Sequence, residues 1–198
     1  MKNNLKKKLG DKIKKSIITH KKIINDEKKI FEIIDILSKS LKSGGKLILC
    51  GNGGSAADAQ HLAAEFLVRL RPNVNRAPLP AITLAQDTST ITALSNDYNF
   101  KYLFSRNLRA LGQKEDILIV ISTTGNSQNI LEVLKEAKKL GIQSVGLLGG
   151  AGGKAKKLVN HSLVAKSKIT STIQEIHIFL GHFIFECVED NLISGKNN

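Results

Sequence analysis

The sequence predicts an α/β fold, a parallel five-stranded sheet with helices on both faces, preceded by an N-terminal helical extension. Three observations predict it. Five short apolar runs recur between residues 46 and 166, helical patterns fill the gaps between them, and Gly, Pro or polar turns bound many of the runs. Strands that alternate with helices pair in parallel, because each crossover helix carries the chain back to the edge where the preceding strand began.

The elements follow in order. Two helices are expected first, at about 3–23 and 26–43. In the first, Leu5, Leu9, Ile13 and Ile17 recur every four residues between lysines, the pattern of an amphipathic helix with a solvated basic face. In the second, Ile30, Ile33, Ile34, Leu37 and Leu41 form an apolar stripe, and Gly44-Gly45 ends it. Strands are expected at KLILC (46–50), PAITLA (80–85), DILIVIS (116–122), SVGLLG (144–149) and SLVAK (162–166). These runs are too short for buried helices, and several are rich in Ile, Leu or Val. Helices are expected at 55–70, 88–94, 99–112, 126–140, 152–159 and 172–194. The organisation is a helical extension over 1–43 and an α/β domain over 44–194, together one folding unit.

Composition narrows the functional classes. The apolar fraction, 41%, is ordinary for a globular protein, and no apolar run approaches the roughly 20 residues of a membrane-spanning helix. The lysine-rich start lacks the continuous apolar core of a secretory signal. Cys50 and Cys187 lie far apart without metal-type spacing, so both read as reduced core residues of a cytoplasmic protein. Of the formal charge of +13, residues 1–30 supply +8, eleven lysines against Asp11, Asp26 and Glu27. No aromatic residues interleave with these lysines to stack bases and no nucleic-acid motif is present, so a solvated basic helix is favoured over a nucleic-acid or acidic partner.

Two loops stand where ligands bind in open α/β sheets, outside the carboxyl ends of strands. GNGGS (51–55) follows the first strand and STTGNS (122–127) the third, and both enter helices. A helix N-terminus offers unpaired N–H groups and the positive end of the dipole, which favour an anion. Gly51, Gly53 and Gly54 allow a close backbone approach, and Ser55, Ser122, Thr123, Thr124 and Ser127 add hydroxyls. Neither loop has a P-loop lysine or a G-x-G-x-x-G pattern, which disfavours nucleotides and favours one phosphate on a small polyol. Such residues also build ordinary turns and caps, so it is the pair of loops that carries weight. Just behind the first loop, His61 and Glu65 share one helical face at i, i+4. Spacing alone suits either a shared ion or a half-buried histidine beside a surface acid.

CGNGGSAADAQHLAAEF, ALSNDYNF (93–100), ISTTGNSQNI (121–130) and TIQEIHIFLGH (172–182), in this order, resemble the sugar-isomerase (SIS) family, and within it the branch acting on phosphorylated seven-carbon sugars. The likeness runs from about Leu37 to Asp190 and includes the helical extension. It implies a flavodoxin-like sheet and an aldose–ketose isomerase working through an enediol, in the synthesis of activated heptose for lipopolysaccharide or capsule. It implies zinc held by His61, Glu65, Gln174 and His182, with Glu65 as base and His182 as acid. It implies substrate contacts at Asn52, Gly53, Gly54, Ser55, Asp58, Glu65, Asn96, Asp97, Ser122, Thr123, Thr124, Ser127 and Gln174. It also implies a homotetramer with sites at subunit interfaces. Family members carry Ser where this chain has Thr124, so the added methyl narrows the expected phosphate pocket.

One part of this pattern conflicts with helix geometry. On an ideal helix Gln174 and His182 are roughly 12 Å apart along the axis and rotated by about 80°. His177 is geometrically the better neighbour of Gln174, whereas the resemblance selects His182. The conflict dissolves if Gln174 sits in an irregular first turn or if ligands come from different subunits. A rival function is a non-catalytic SIS module that binds sugar phosphates or a replication initiator. Such a module does not need the carboxylate and histidine that this chain has at Glu65 and His182. A glutamine amidotransferase is excluded, since 198 residues leave no room for a glutaminase domain.

Overall fold

The computed structural model describes residues 2–84 and 87–194. Two long helices come first, α1 (Lys2–Ile23) and α2 (Glu27–Lys42), joined by a short 3-10 turn. Strands and helices then alternate: β1 (Leu47–Gly51), α3 (Gly54–Leu67), β2 (Ala81–Thr83), α4 (Thr88–Asp97), α5 (Leu103–Leu111), β3 (Ile117–Ser122), α6 (Gln128–Leu140), β4 (Gln143–Gly149), β5 (His161–Ala165) and α7 (Thr170–Ser194).

All four strand pairings are parallel, and the spatial order is β2-β1-β3-β4-β5. The order reverses direction between β1 and β3, so the crevice beyond their carboxyl ends is the topological switch point. Gly51 pairs with Ile121, which sets the two glycine-containing loops side by side.

Alternation within the strands divides the core. Leu47 and Leu49 of β1 and Ile117, Ile119 and Ile121 of β3 face a cluster with α2, α3 and α7. Ile48, Cys50, Leu118 and Val120 face a second cluster with α4, α5 and α6. Both faces are therefore covered, the condition under which parallel strands read as unbroken apolar runs. Ile30, Ile33, Ile34 and Leu37 of α2 belong to the first cluster, so the helical extension shares the sheet's core.

Several expected boundaries shift. The helix expected at 152–159 is only a 3-10 turn, Ala155–Lys157. The reason is the run Gly150, Gly152 and Gly153, each at positive φ, which coils the backbone against the 122–127 loop instead. The helix expected at 55–70 ends at Leu67, and the one expected at 99–112 opens with an Asn99-capped 3-10 turn before α5 begins. α4 continues past 94 to Asp97, so Asn96 and Asp97 lie in its last turn. β2 is three residues long, and Ala85, expected to end it, lies outside the described residues. No described helix is long and apolar enough to cross a membrane.

Candidate active site

α3 and α7 run side by side in parallel, and their register builds the site. A Cβ on Gly54 would overlap the Gln174 amide, so Gln174 is seated on the first turn of α3. Further along, Gly181 lies against Leu62, and a side chain there would meet Leu62 Cδ1 at 2.5 Å. Phe66 then stacks on Phe185 with centroids 4.0 Å apart. Leu62 and Phe66 are thus buried in the contact between the two helices.

The same register places His61 opposite His182, with their Nε2 atoms 2.8 Å apart. His61 Nε2 is also 3.2 Å from Glu65 Oε1. One donor atom from each of His61, Glu65 and His182 lies within 4.8 Å of the other two. Two imidazole nitrogens and a carboxylate oxygen converging at this spacing suit a divalent cation, whose ligands at about 2.0–2.2 Å must approach one another this closely.

Gln174 lies two turns before His182 on α7, with its amide against Gly54 at the start of α3. α7 is regular from Thr170 onward, so no irregular turn brings the Gln174 amide down to His182, and the two stay roughly 12 Å apart along the axis. His177 is also elsewhere. It is fully buried, and neither ring nitrogen has a hydrogen-bond partner. Burial depresses its pKa from 6.5 to about 4, and the backbone of Leu148 partly offsets the fall. One turn before His61, Asp58 has a buried Oδ2 without a partner. Burial raises its pKa, and His61 partly offsets the rise.

The anion loops have matching construction. Gly53, at φ +56°, is the N-cap of α3, and Ser127 is the N-cap of α6; neither start is closed by a side-chain cap bond. The first turns therefore keep their positive ends open toward a ligand. The side-chain amides of Asn52 and Asn129 exchange two hydrogen bonds, 3.0 and 2.7 Å, and tie the loops together. Ser122 Oγ accepts from Gly125 N–H at 3.0 Å, and Thr124 Oγ1 accepts from Asn126 N–H at 3.2 Å. Ser55 and Ser122 are buried, Thr123 and Ser127 half-buried, and Thr124 exposed. Asn96 and Asp97 bond to each other at 2.9 Å on the exposed end of α4.

Beside the loops a cleft of about 550 Å³ is lined by Asn52, Gly53, Asn99, Lys101, Ser127 and Asn129, among others. Asn129, Asn99 and Lys101 were not among the residues expected here. Asn129 has a usable signal, an amide at a buried position of a helix. Lys101 has a weaker one, as the only lysine between Lys46 and Lys114.

Two open helix starts at a switch point, beside a histidine–carboxylate cluster, are the arrangement expected of an SIS domain, and the SIS domain family matches residues 13–149. The phosphoheptose isomerase of Clostridium acetobutylicum is 44% identical over 187 residues, covering 93% of this chain and 94% of that one. That of Helicobacter pylori (strain P12) is 41% identical over 186 residues, covering 91% and 96%. The structure of phosphoheptose isomerase GmhA from Neisseria gonorrhoeae superposes with a TM-score of 0.87 at 35% identity, covering 94% of this chain and 99% of that one. The enzyme from Francisella tularensis gives 0.88 at 34%, covering 93% and 97%. The chain belongs to the phosphoheptose isomerase family of SIS-domain proteins.

Proposed function

We propose that the chain converts sedoheptulose 7-phosphate to D-glycero-D-manno-heptose 7-phosphate, supplying activated heptose for lipopolysaccharide or capsule. The observation that carries this reading is the convergence of Glu65 and His182 within 4.8 Å, beside two open helix N-termini. The non-catalytic alternative is not favoured, because it gives this acid–base pair no task.

The chemistry follows from the groups. The helix starts and the hydroxyls of Ser122, Thr123, Thr124 and Ser127 hold the 7-phosphate, and Asn52 and Gln174 meet sugar hydroxyls. Glu65 takes the C1 proton of the ketose while His182 donates a proton to O2, giving the 1,2-enediol. His182 then accepts the O1 proton as Glu65 returns its proton to C2, and the aldose forms with both residues restored. His61, Glu65 and His182 would hold a divalent ion, and their donor set suits zinc. When bound, the ion supplies Lewis-acid polarisation of the substrate oxygens. If Gln174 also reaches it, that residue comes from a second copy of the chain.

A homotetramer with shared sites fits the exposed apolar surface. Leu5, Leu9, Ile13 and Ile17 of α1 are about half exposed or more, and an apolar groove of about 420 Å³ lies between α1, α2 and α7. The free cysteines Cys50 and Cys187 support a cytoplasmic setting. The test is purified, metal-loaded protein with sedoheptulose 7-phosphate in D₂O. A heptose 7-phosphate is expected, with deuterium at C2 to the extent that the proton held by Glu65 exchanges with solvent before its return. Folded, loaded protein that gives neither product nor exchange would return the reading to a sugar-phosphate-binding module.

A further inference from the structure

The last turn of α3, where Glu65 sits, leaves backbone carbonyls without helical partners, as every helix end does. Here a single guanidinium takes two of them. Arg76 donates from Nη2 to the Glu65 carbonyl at 2.8 Å and from Nη1 to the Phe66 carbonyl at 3.0 Å. The Arg76 side chain is only 6% exposed, so its charge needs a counter-ion. That partner is Glu189, fully buried on α7, which accepts from Arg76 Nε through Oε1 and from Arg71 Nε through Oε2 at 2.7 Å. Arg71 continues to Asp190 at 2.5 Å, and among the described residues its side chain makes no hydrogen bond to α3.

Glu189 lies seven residues beyond His182, two turns along nearly the same helical face. A buried charged strut therefore runs from the backbone of Glu65 to the helix that carries His182. It engages only the carbonyl of Glu65, leaving the carboxylate free for His61. We propose that Arg76 is a positioning residue: through Glu189 it fixes the last turn of α3 against α7 and so holds the Glu65 carboxylate at its distance from His61 and His182.

The inference rests on the proposed function for its turnover arm and on the His61–Glu65–His182 geometry alone for its ion-binding arm. Arg76→Lys keeps the charge but loses the fork that spans two carbonyls. Its kcat is expected to fall about 10- to 100-fold and its Kd for zinc to weaken about 10-fold, the scale for a displaced reactive or ligating group. Binding of sedoheptulose 7-phosphate, set mainly by the anion loops, should stay within about threefold. Arg71→Ala removes only the half of the network that does not touch α3. It should cost melting temperature while leaving kcat and zinc affinity unchanged. If Arg76→Lys does not fold, Glu189→Gln carries the same expectations, since it keeps the acceptor and removes the counter-charge. Loss of melting temperature with kcat and zinc affinity both within twofold of the parent would make the strut a structural staple only and overturn the proposal. A parent that binds zinc without isomerising would sink the functional reading, and the zinc arm would still decide the positioning role.

Discussion

His61 and His182 meet Nε2 to Nε2 at 2.8 Å across the contact between α3 and α7. Two such nitrogens cannot both present a proton to each other. Either one donates to the other, or both turn toward a cation lying off the line between them, which the Glu65 oxygen beside them could join as a third ligand. Replacing His61 with Ala removes one of three ligands. Bound zinc measured by elemental analysis should fall well below one per chain, and activity should fall with it. Full zinc content in His61→Ala would place the ion elsewhere.

The acid and base should separate from binding. Glu65→Gln keeps size and a ligating oxygen but cannot take up the C1 proton. Turnover should drop at least about 100-fold, the scale of a general base, while calorimetry finds sugar-phosphate affinity little changed. His182→Gln should lose a comparable amount and His177→Gln far less, because His177 is enclosed in the core. The opposite order between the two histidines would make His177 the acid.

Thr124 stands where the family resemblance leads one to expect Ser. Its hydroxyl already accepts from Asn126 N–H, so Thr124→Ala removes a loop bond together with the proposed phosphate contact. Sugar-phosphate binding should weaken by about 1.5–3 kcal/mol, the worth of a hydrogen bond to a charged group. Thr124→Ser keeps both and should be nearly silent. A changed substrate preference in Thr124→Ser would show that the methyl selects the ligand.

Gly54→Ala tests the seat of Gln174. The new methyl would meet the far end of a flexible side chain, so the amide must swing away while the helix start remains. The variant should melt close to the parent yet show a raised KM. An unchanged KM would remove Gln174 from the substrate site.

His177 gives a pH dependence of stability. Its pKa falls from 6.5 to about 4 on folding, so the folded state excludes a proton that the unfolded chain accepts. Stability from this group is complete above pH 6.5 and drains away as the pH falls toward 4, by roughly 3 kcal/mol in all. Denaturant titrations of His177→Gln should lack this component of the slope between pH 6.5 and 4.5. An identical slope in both proteins would mean the ring finds a partner for its charge.

The sheet was legible because buried parallel strands such as ILIVIS cannot alternate and so stand out as apolar runs. The anion loops were legible because glycine and hydroxyl residues sit at a strand-to-helix junction. The pairing of helices was not. Helical geometry on α7 alone favours His177 over His182 as the neighbour of Gln174. Only the register against α3, set by Gly54, Leu62 and Phe66, shows that His182 faces His61 and that Gln174 stands at the loop. Arg76 and Glu189 were equally hidden, since a buried ion pair spanning 113 residues has no local period to reveal it. Asn129 was missed because an amide in the first turn of a helix reads as an ordinary turn or capping residue until its partner Asn52 is seen.

The partners His61 and His182 are 121 residues apart in the chain, and this orders events during synthesis. Every strand and both anion loops leave the ribosome before α7, so a nascent chain can close its sheet while Leu62, Ala63 and Phe66 of α3 still lack the helix that covers them. A chain cut short before residue 170 would keep the strands and both phosphate loops and yet hold neither His182 nor Glu189. Long-range contacts of this kind form late and slowly. Truncation from the carboxyl end therefore abolishes chemistry before it abolishes the sheet, and it leaves an apolar face bare to neighbouring chains.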